Sequence, residues 1–220
     1  MEIFLKRVFA LMFGAVGVSA ITSYATLQWG LGLVFTETGL SPLFYIVMFG
    51  GLALSLFTQM RVFHMQPLTG AIMLGVYAVA IGFVMTPLIA ISLQINPDSI
   101  LQAFFLAAVM FGCMALFGYK TVKDLSFMGI FLFMGMIGLI LAGVASMIWP
   151  LGSTAATIIS AIGVLVFALF TAYDMQFLKR AYGDMAGQGK EGQLAILGAL
   201  HLYISFVAMF QYILSLLNRR

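Results

Sequence analysis

The sequence predicts an all-α membrane protein of seven transmembrane helices, a single domain over residues 1–220. Three observations predict it: charges are scarce, they cluster between long apolar runs, and the basic clusters fall in every second connection. Hydrophobic residues make up 63% of the chain and charged residues 8%, with a mean hydropathy of +1.13. A soluble domain carries about 25% charged residues, so this surface does not face water.

Asp, Glu, Lys and Arg are absent from Val8–Thr36, Thr38–Met60, Met65–Pro97, Ser99–Tyr119, Leu125–Tyr173 and Gly192–Asn218. Crossing hydrocarbon takes ~20 apolar residues in a helix, and only helices or closed barrels satisfy their backbone there. Barrel strands alternate polar and apolar over about ten residues. These runs are apolar on every side, so they are helices.

The first span is Val8–Gln28, a signal-anchor helix too long for the apolar core of a cleaved signal peptide. The second is Pro42–Gln59. The third, Leu68–Leu93, holds Pro87, which removes a backbone bond and kinks the helix. The fourth is Ser99–Tyr119. The run from Leu125 to Tyr173 exceeds one span, and Trp149-Pro150-Leu151-Gly152-Ser153 divides it with interfacial and turn residues. This gives Phe127–Trp149 and Thr154–Leu178 as the fifth and sixth spans, with Gln193–Leu217 the seventh. The pairs Ala71/Gly75, Ala78/Gly82 and Gly135/Gly138 permit close helix contact. The sixteen Met and twenty-one Phe serve packing and lipid contact.

Topology follows from the basic residues. Lys6 and Arg7, Arg61 and His64, Lys120 and Lys123, and Lys179, Arg180 and Lys190 share one face, whereas the opposite loops hold Glu37 and Asp98. The amino terminus is therefore expected in the cytoplasm. Arg219 and Arg220 then end on the far side, unless the last segment turns back as a re-entrant helix. A pI near 9.1 reflects these topology charges, and no nucleic-acid partner is expected. The lone Cys113 is expected to be a buried thiol; no metal-ligand spacing and no cofactor motif is present.

Asp174 is the sharpest candidate site residue. It ends a charge-free run and sits about one turn before Lys179-Arg180, ~6–8 Å inside the membrane edge. It reads either as an interfacial carboxylate paired with those bases or as an intramembrane acid that responds to protons. His201 and Ser205 are four apart on one face of the seventh span. His201 lies ~10 Å deep, level with Asp174, so a coupled pair is geometrically allowed. Arg61 reads as a snorkelling topology charge or as a cap folded over a vestibule containing Asp174.

The segment Gln102-Ala103-Phe104, Phe111, and Gly118-Tyr119-Lys120-Thr121-Val122-Lys123-Asp124-Leu125-Ser126-Phe127-Met128-Gly129 resembles the signature of the transmembrane Bax inhibitor motif proteins, the Bax inhibitor-1 or YccA-like family. Thr69-Gly70 through Gly82 to Thr86-Pro87 resembles the preceding signature stretch. Tyr173-Asp174 and Ala199-Leu200-His201-Leu202-Tyr203-Ile204-Ser205-Phe206 are similar to its two carboxy-terminal motifs. The resemblance implies seven helices with the last one central. It also implies a pH-sensitive calcium leak, control of cell death in eukaryotes, or modulation of a membrane-bound protease in bacteria. In the calcium leak two aspartates sense protons and an arginine at the end of the second helix contributes to gating. Asp174 matches the first aspartate and Arg61 the arginine, but Ser205 stands where the second aspartate is expected. One carboxylate offers calcium fewer hard oxygens than two.

The leading expectation is thus a non-enzymatic, pH-sensitive leak for calcium or protons in a bacterial inner membrane, gated around Asp174, Ser205, His201 and Arg61. The alternative is a regulator of a membrane protease complex that docks through helix faces and the loop holding Tyr119, Lys120, Lys123, Asp124 and Ser126. An intramembrane serine hydrolase would need a nucleophile near its base and an oxyanion hole; no Gly-rich nucleophile motif surrounds Ser205. A retinal protein would need a Lys within a span, and these spans hold none.

Overall fold

The computed structural model describes residues 1–37, 39–149, 152–185 and 187–219 and, at residues 147 and 148, the backbone alone. Seven long helices carry the chain: α1 (Glu2–Trp29), α2 (Pro42–Arg61), α3 (Pro67–Ile95), α4 (Asp98–Lys120), α5 (Ser126–Ile148), α6 (Ser153–Met185) and α7 (Glu191–Leu217). Each contains a stretch long and apolar enough to cross a bilayer. The fifth connection of the predicted order is in place, since α5 ends at Ile148 and α6 begins at Ser153. Pro150 and Leu151, at the centre of that predicted break, lie outside the described residues, as does Arg220.

Two helices outrun their apolar segments. α1 starts six residues before Val8 and carries Lys6 and Arg7; α6 continues seven residues past Leu178 and carries Lys179 and Arg180. A charge ends an apolar run but does not end a helix, because Lys and Arg are good helix formers whose stems reach back toward water. The chain turns only beyond Met185, where Gly187 and Gly189 take positive φ angles of 81° and 70°. Between α1 and α2, a short helical turn (Leu31–Val34) leads into a two-stranded hairpin, β1 (Phe35–Thr36) against β2 (Gly39–Leu40), in the register Phe35 to Leu40. The seven-span reading did not foresee this hairpin. Ser41 then caps α2, accepting the Phe44 N–H at 3.1 Å with Pro42 in the first turn.

The described chain falls into two compact units, residues 1–91 with 180–203 and residues 92–179 with 204–220. In the first, α1 and α3 meet at Gly82, where a β-carbon would stand 2.8 Å from Thr22 Cβ and overlap the Ser19 backbone. The Ser19 hydroxyl donates to the Ala78 carbonyl at 2.9 Å. The Ala78/Gly82 pair therefore does what its spacing predicts. Gly75 and Gly138 face open space, and a β-carbon at Gly135 would reach only a Val166 methyl, at 3.2 Å. Small-residue spacing alone did not separate close approach from lipid exposure. In the second unit, Phe206 of α7 packs edge-on against Phe104 and Phe111 of α4, at 5.6 and 5.7 Å between ring centres.

α7 is the most buried of the seven: 72% of its apolar window is shielded, against 11–39% in the others. It starts beside Pro67, whose ring carbon lies 3.1 Å from where a Gly192 β-carbon would be. It ends with Asn218 donating to Ser92 at 2.6 Å and accepting from Ser99 at 3.0 Å. Over Glu191–Leu217 the last helix is unbroken and long and apolar enough to span a bilayer. Elsewhere apolar side chains face outward, among them Phe127, Phe131, Met134 and Leu141 of α5, as a lipid solvent permits. Cys113, expected to be buried, is exposed for the same reason: an apolar run in a membrane protein includes the lipid face. Pro87 lies within an α3 that stays helical to Ile95.

Candidate functional site

Within the second unit, one stretch of α6 gathers the chemistry. Asp174 is 5% exposed, its neighbours Met175 and Gln176 are buried with it, and Ala172 is 1% exposed. α4 approaches through Gly118, where any β-carbon would overlap the Ala172 carbonyl. α5 approaches through Gly129, whose β-carbon would stand 2.9 Å from the Tyr173 ring. Two glycines thus bring α4 and α5 hard against the two residues just before the carboxylate, Ala172 and Tyr173.

The loop between α4 and α5 is fastened to the same helix. Gln176 Nε2 donates to the Lys123 carbonyl at 2.7 Å, and Gln176 Oε1 accepts the Leu125 N–H at 2.8 Å. One side-chain amide so satisfies a donor and an acceptor of a loop that has no ladder of its own. Lys179 Nζ donates to the Tyr119 carbonyl at 3.0 Å and lies 5.3 Å from the centre of the Tyr119 ring. It places a cation at the negative end of α4. Inside the loop, Thr121 Oγ1 accepts from Lys123 N at 3.3 Å and Asp124 Oδ1 accepts from Ser126 N at 2.9 Å. Lys120, Lys123, Asp124 and Ser126 are exposed, Tyr119 is half-buried, and Val122 is 97% exposed.

Sequence reasoning named Asp174 and the loop; it quoted Gly118 only as the start of the signature segment and did not name Gln176, the residue that ties the loop to α6. The signal was available: a glutamine two positions from Asp174, at the end of the same apolar run. Attention to charge passed over it because an amide carries none.

The remaining candidates are distributed as follows. Ser205 is 3% exposed and belongs to the second unit with Asp174; Arg61 and His201 belong to the first. His201 is half-buried, with Nε2 3.1 Å from Gln59 Oε1. Arg61 is exposed in the last turn of α2, where a cation complements the helix end. Also in the first unit, Tyr203 is fully buried, hydrogen-bonds Ser19, and meets the Tyr77 ring edge-on at 5.8 Å. Ser23, one turn after Ser19, is buried with no partner for its hydroxyl among the described residues. Among the described residues no three His, Cys, Asp or Glu side chains gather into a metal-binding group.

The profile of the family described as inhibitor of apoptosis-promoting Bax1 matches residues 1–220. An uncharacterized protein of Deinococcus radiodurans is 32% identical over 220 residues, covering 99% of this chain and 90% of its own length. One of Rickettsia prowazekii is 35% identical over 205 residues, covering 93% and 83%. The inner membrane protein YbhL of Escherichia coli is 39% identical over 125 residues, covering 56% of this chain and 53% of its own. With a profile matched from end to end and seven helices built to span a bilayer, the chain belongs to the Bax inhibitor-1 family of multi-pass membrane proteins.

Proposed function

We propose that this protein is a non-enzymatic leak for protons or calcium in a bacterial inner membrane, gated by the protonation state of Asp174. The observation that carries the reading is a buried carboxylate on α6 just ahead of the residues that fasten the α4–α5 loop. A charge gained or lost at a buried site changes local electrostatics far more than one at a surface, and Gln176 lies two residues away with the loop in its grip. Ser205 in place of a second acid favours protons over calcium as the permeant ion, since calcium prefers several hard oxygens. The amino terminus is assigned to the cytoplasm on the charge distribution, and the YbhL relative supports the inner membrane. The test is flux into liposomes loaded with a pH or calcium indicator, for the wild type and Asp174→Asn across a pH series. The reading expects pH-dependent flux that the variant loses; identical flux at every pH ends it.

A second reading rests on Val122. An almost fully exposed apolar residue, held out on a loop pinned at both ends, suits contact with a partner protein, such as a membrane protease complex, more than it suits water. A photoreactive residue at position 122, activated in native membranes, should capture one reproducible partner. Capture of nothing over background would remove this reading.

A further inference from the structure

We propose that the first unit holds a binding site for an anionic phospholipid, in a cleft formed where α1, α3 and α7 begin. The cleft encloses about 440 Å³, within the range of small-ligand pockets. Its lining includes Arg7 and Ala10 of α1, Pro67 and Ala71 of α3, and Ala195 and Ile196 of α7. Every lining residue but Arg7 is apolar or glycine. Small side chains make the room: alanines stand at three of the wall positions, and Gly192 lets α7 press against Pro67.

The position of the cleft selects its occupant. Arg7 lies at the second turn of α1, Pro67 opens α3 and Gly192 is the second residue of α7. The apolar wall reaches only one to two turns further in, to Leu11, Ala71 and Ile196. A ligand here meets a cation at the polar edge and hydrocarbon immediately below, which is the layout of a phospholipid. Three helices also present their positive ends on this side, adding to the guanidinium. Arg7 can hold a phosphate through two parallel N–H bonds, and basic pockets between transmembrane helices take anionic headgroups by this chemistry. Lys6, next in sequence but not part of the wall, supplies only diffuse charge.

The test uses the full chain in nanodiscs of equal phosphatidylglycerol and phosphatidylcholine, with the lipids retained on release measured by native mass spectrometry. The wild type should retain phosphatidylglycerol about fivefold over phosphatidylcholine, the factor expected from one well-placed cation. Arg7→Gln should erase that preference, whereas Lys6→Gln should keep it. Ala71→Phe, or Ala10→Phe at an exposed position, should fill the wall and lower retention of both lipids with helicity by circular dichroism unchanged. Equal retention in the wild type, equal loss in Arg7→Gln and Lys6→Gln, or displacement of the lipid by soluble glycerol 3-phosphate would each overturn the site.

Discussion

Gly118 of α4 lies so close to α6 that a β-carbon at this position would stand 2.7 Å from the Cα of Ala172 and overlap its carbonyl oxygen. Both partners in this contact are backbone, so no side chain can swing aside. Gly118→Ala must push the two helices apart next to Asp174, and overpacking of this kind costs about 1–3 kcal/mol. Thermal unfolding in detergent should register the loss. Gly138→Ala is the control: nothing lies within 4 Å of its added carbon, and alanine is the better helix former by roughly 0.5–1 kcal/mol, so this variant should melt at the same temperature or higher.

Gln176 offers a test of the loop clamp that leaves the helix packing alone. Gln176→Leu keeps the approximate size and apolar stem but strands the Lys123 carbonyl and the Leu125 N–H. A stranded buried group costs about 1–3 kcal/mol, and each 1.4 kcal/mol is tenfold in the opening equilibrium. Hydrogen exchange of the Leu125 amide should therefore quicken by about tenfold or more. Exchange in the middle of α4 and α5 should stay as it was. Unchanged exchange at Leu125 would mean that the loop is held by its internal turns at Thr121 and Asp124.

How much of this was legible follows from what a sequence encodes locally. The seven spans are written in runs of apolar residues, since the bilayer demands a helix wherever charge is absent for long enough. Their ends are not, because Lys6, Arg7, Lys179 and Arg180 continue helices while reaching for water. Asp174 stood out because an acid inside an apolar run is rare. Gln176, Gly118 and Tyr203 did not, because their importance depends on which helices meet, and that is settled by long-range packing. Glycine shows the limit well: Gly118 and Gly138 both sit in apolar helices, yet one touches backbone and the other faces open space. The hairpin at Phe35–Leu40 escaped for another reason, as two residues per strand are too few to display any period.

The buried pair Ser19 and Tyr203 predicts an asymmetry between its two single variants. Ser19 has one hydrogen, and the carbonyls of Ala15 and Ala78 lie 3.0 and 2.9 Å from its oxygen. Tyr203 is therefore the donor in the bond between the two hydroxyls. Tyr203→Phe leaves Ser19 bonded to backbone and should cost little. Ser19→Ala leaves a phenolic hydroxyl facing apolar surroundings and should cost more, and adding Tyr203→Phe to it should restore part of the loss. The coupling in a double-mutant cycle should come to about 0.6–1.7 kcal/mol, the scale measured for hydrogen bonds between membrane helices. Additive losses would mean that the two hydroxyls do not share a bond.

Ser205 supplies the last test, because it marks where this chain departs from the two-aspartate pattern its resemblance implies. Ser205 and Asp174 are buried to a similar degree in the same unit, at 3% and 5% exposure. If the missing acid is what disfavours calcium, Ser205→Asp should raise calcium flux into liposomes above the wild type. Ser205→Asn, which has the same shape without the charge, should not. The gain should vanish again when Asp174→Asn is added, since calcium binding depends on the number of charged oxygens presented together. A rise in flux that survives removal of Asp174 would show that the new carboxylate acts alone, and that positions 174 and 205 do not form one site.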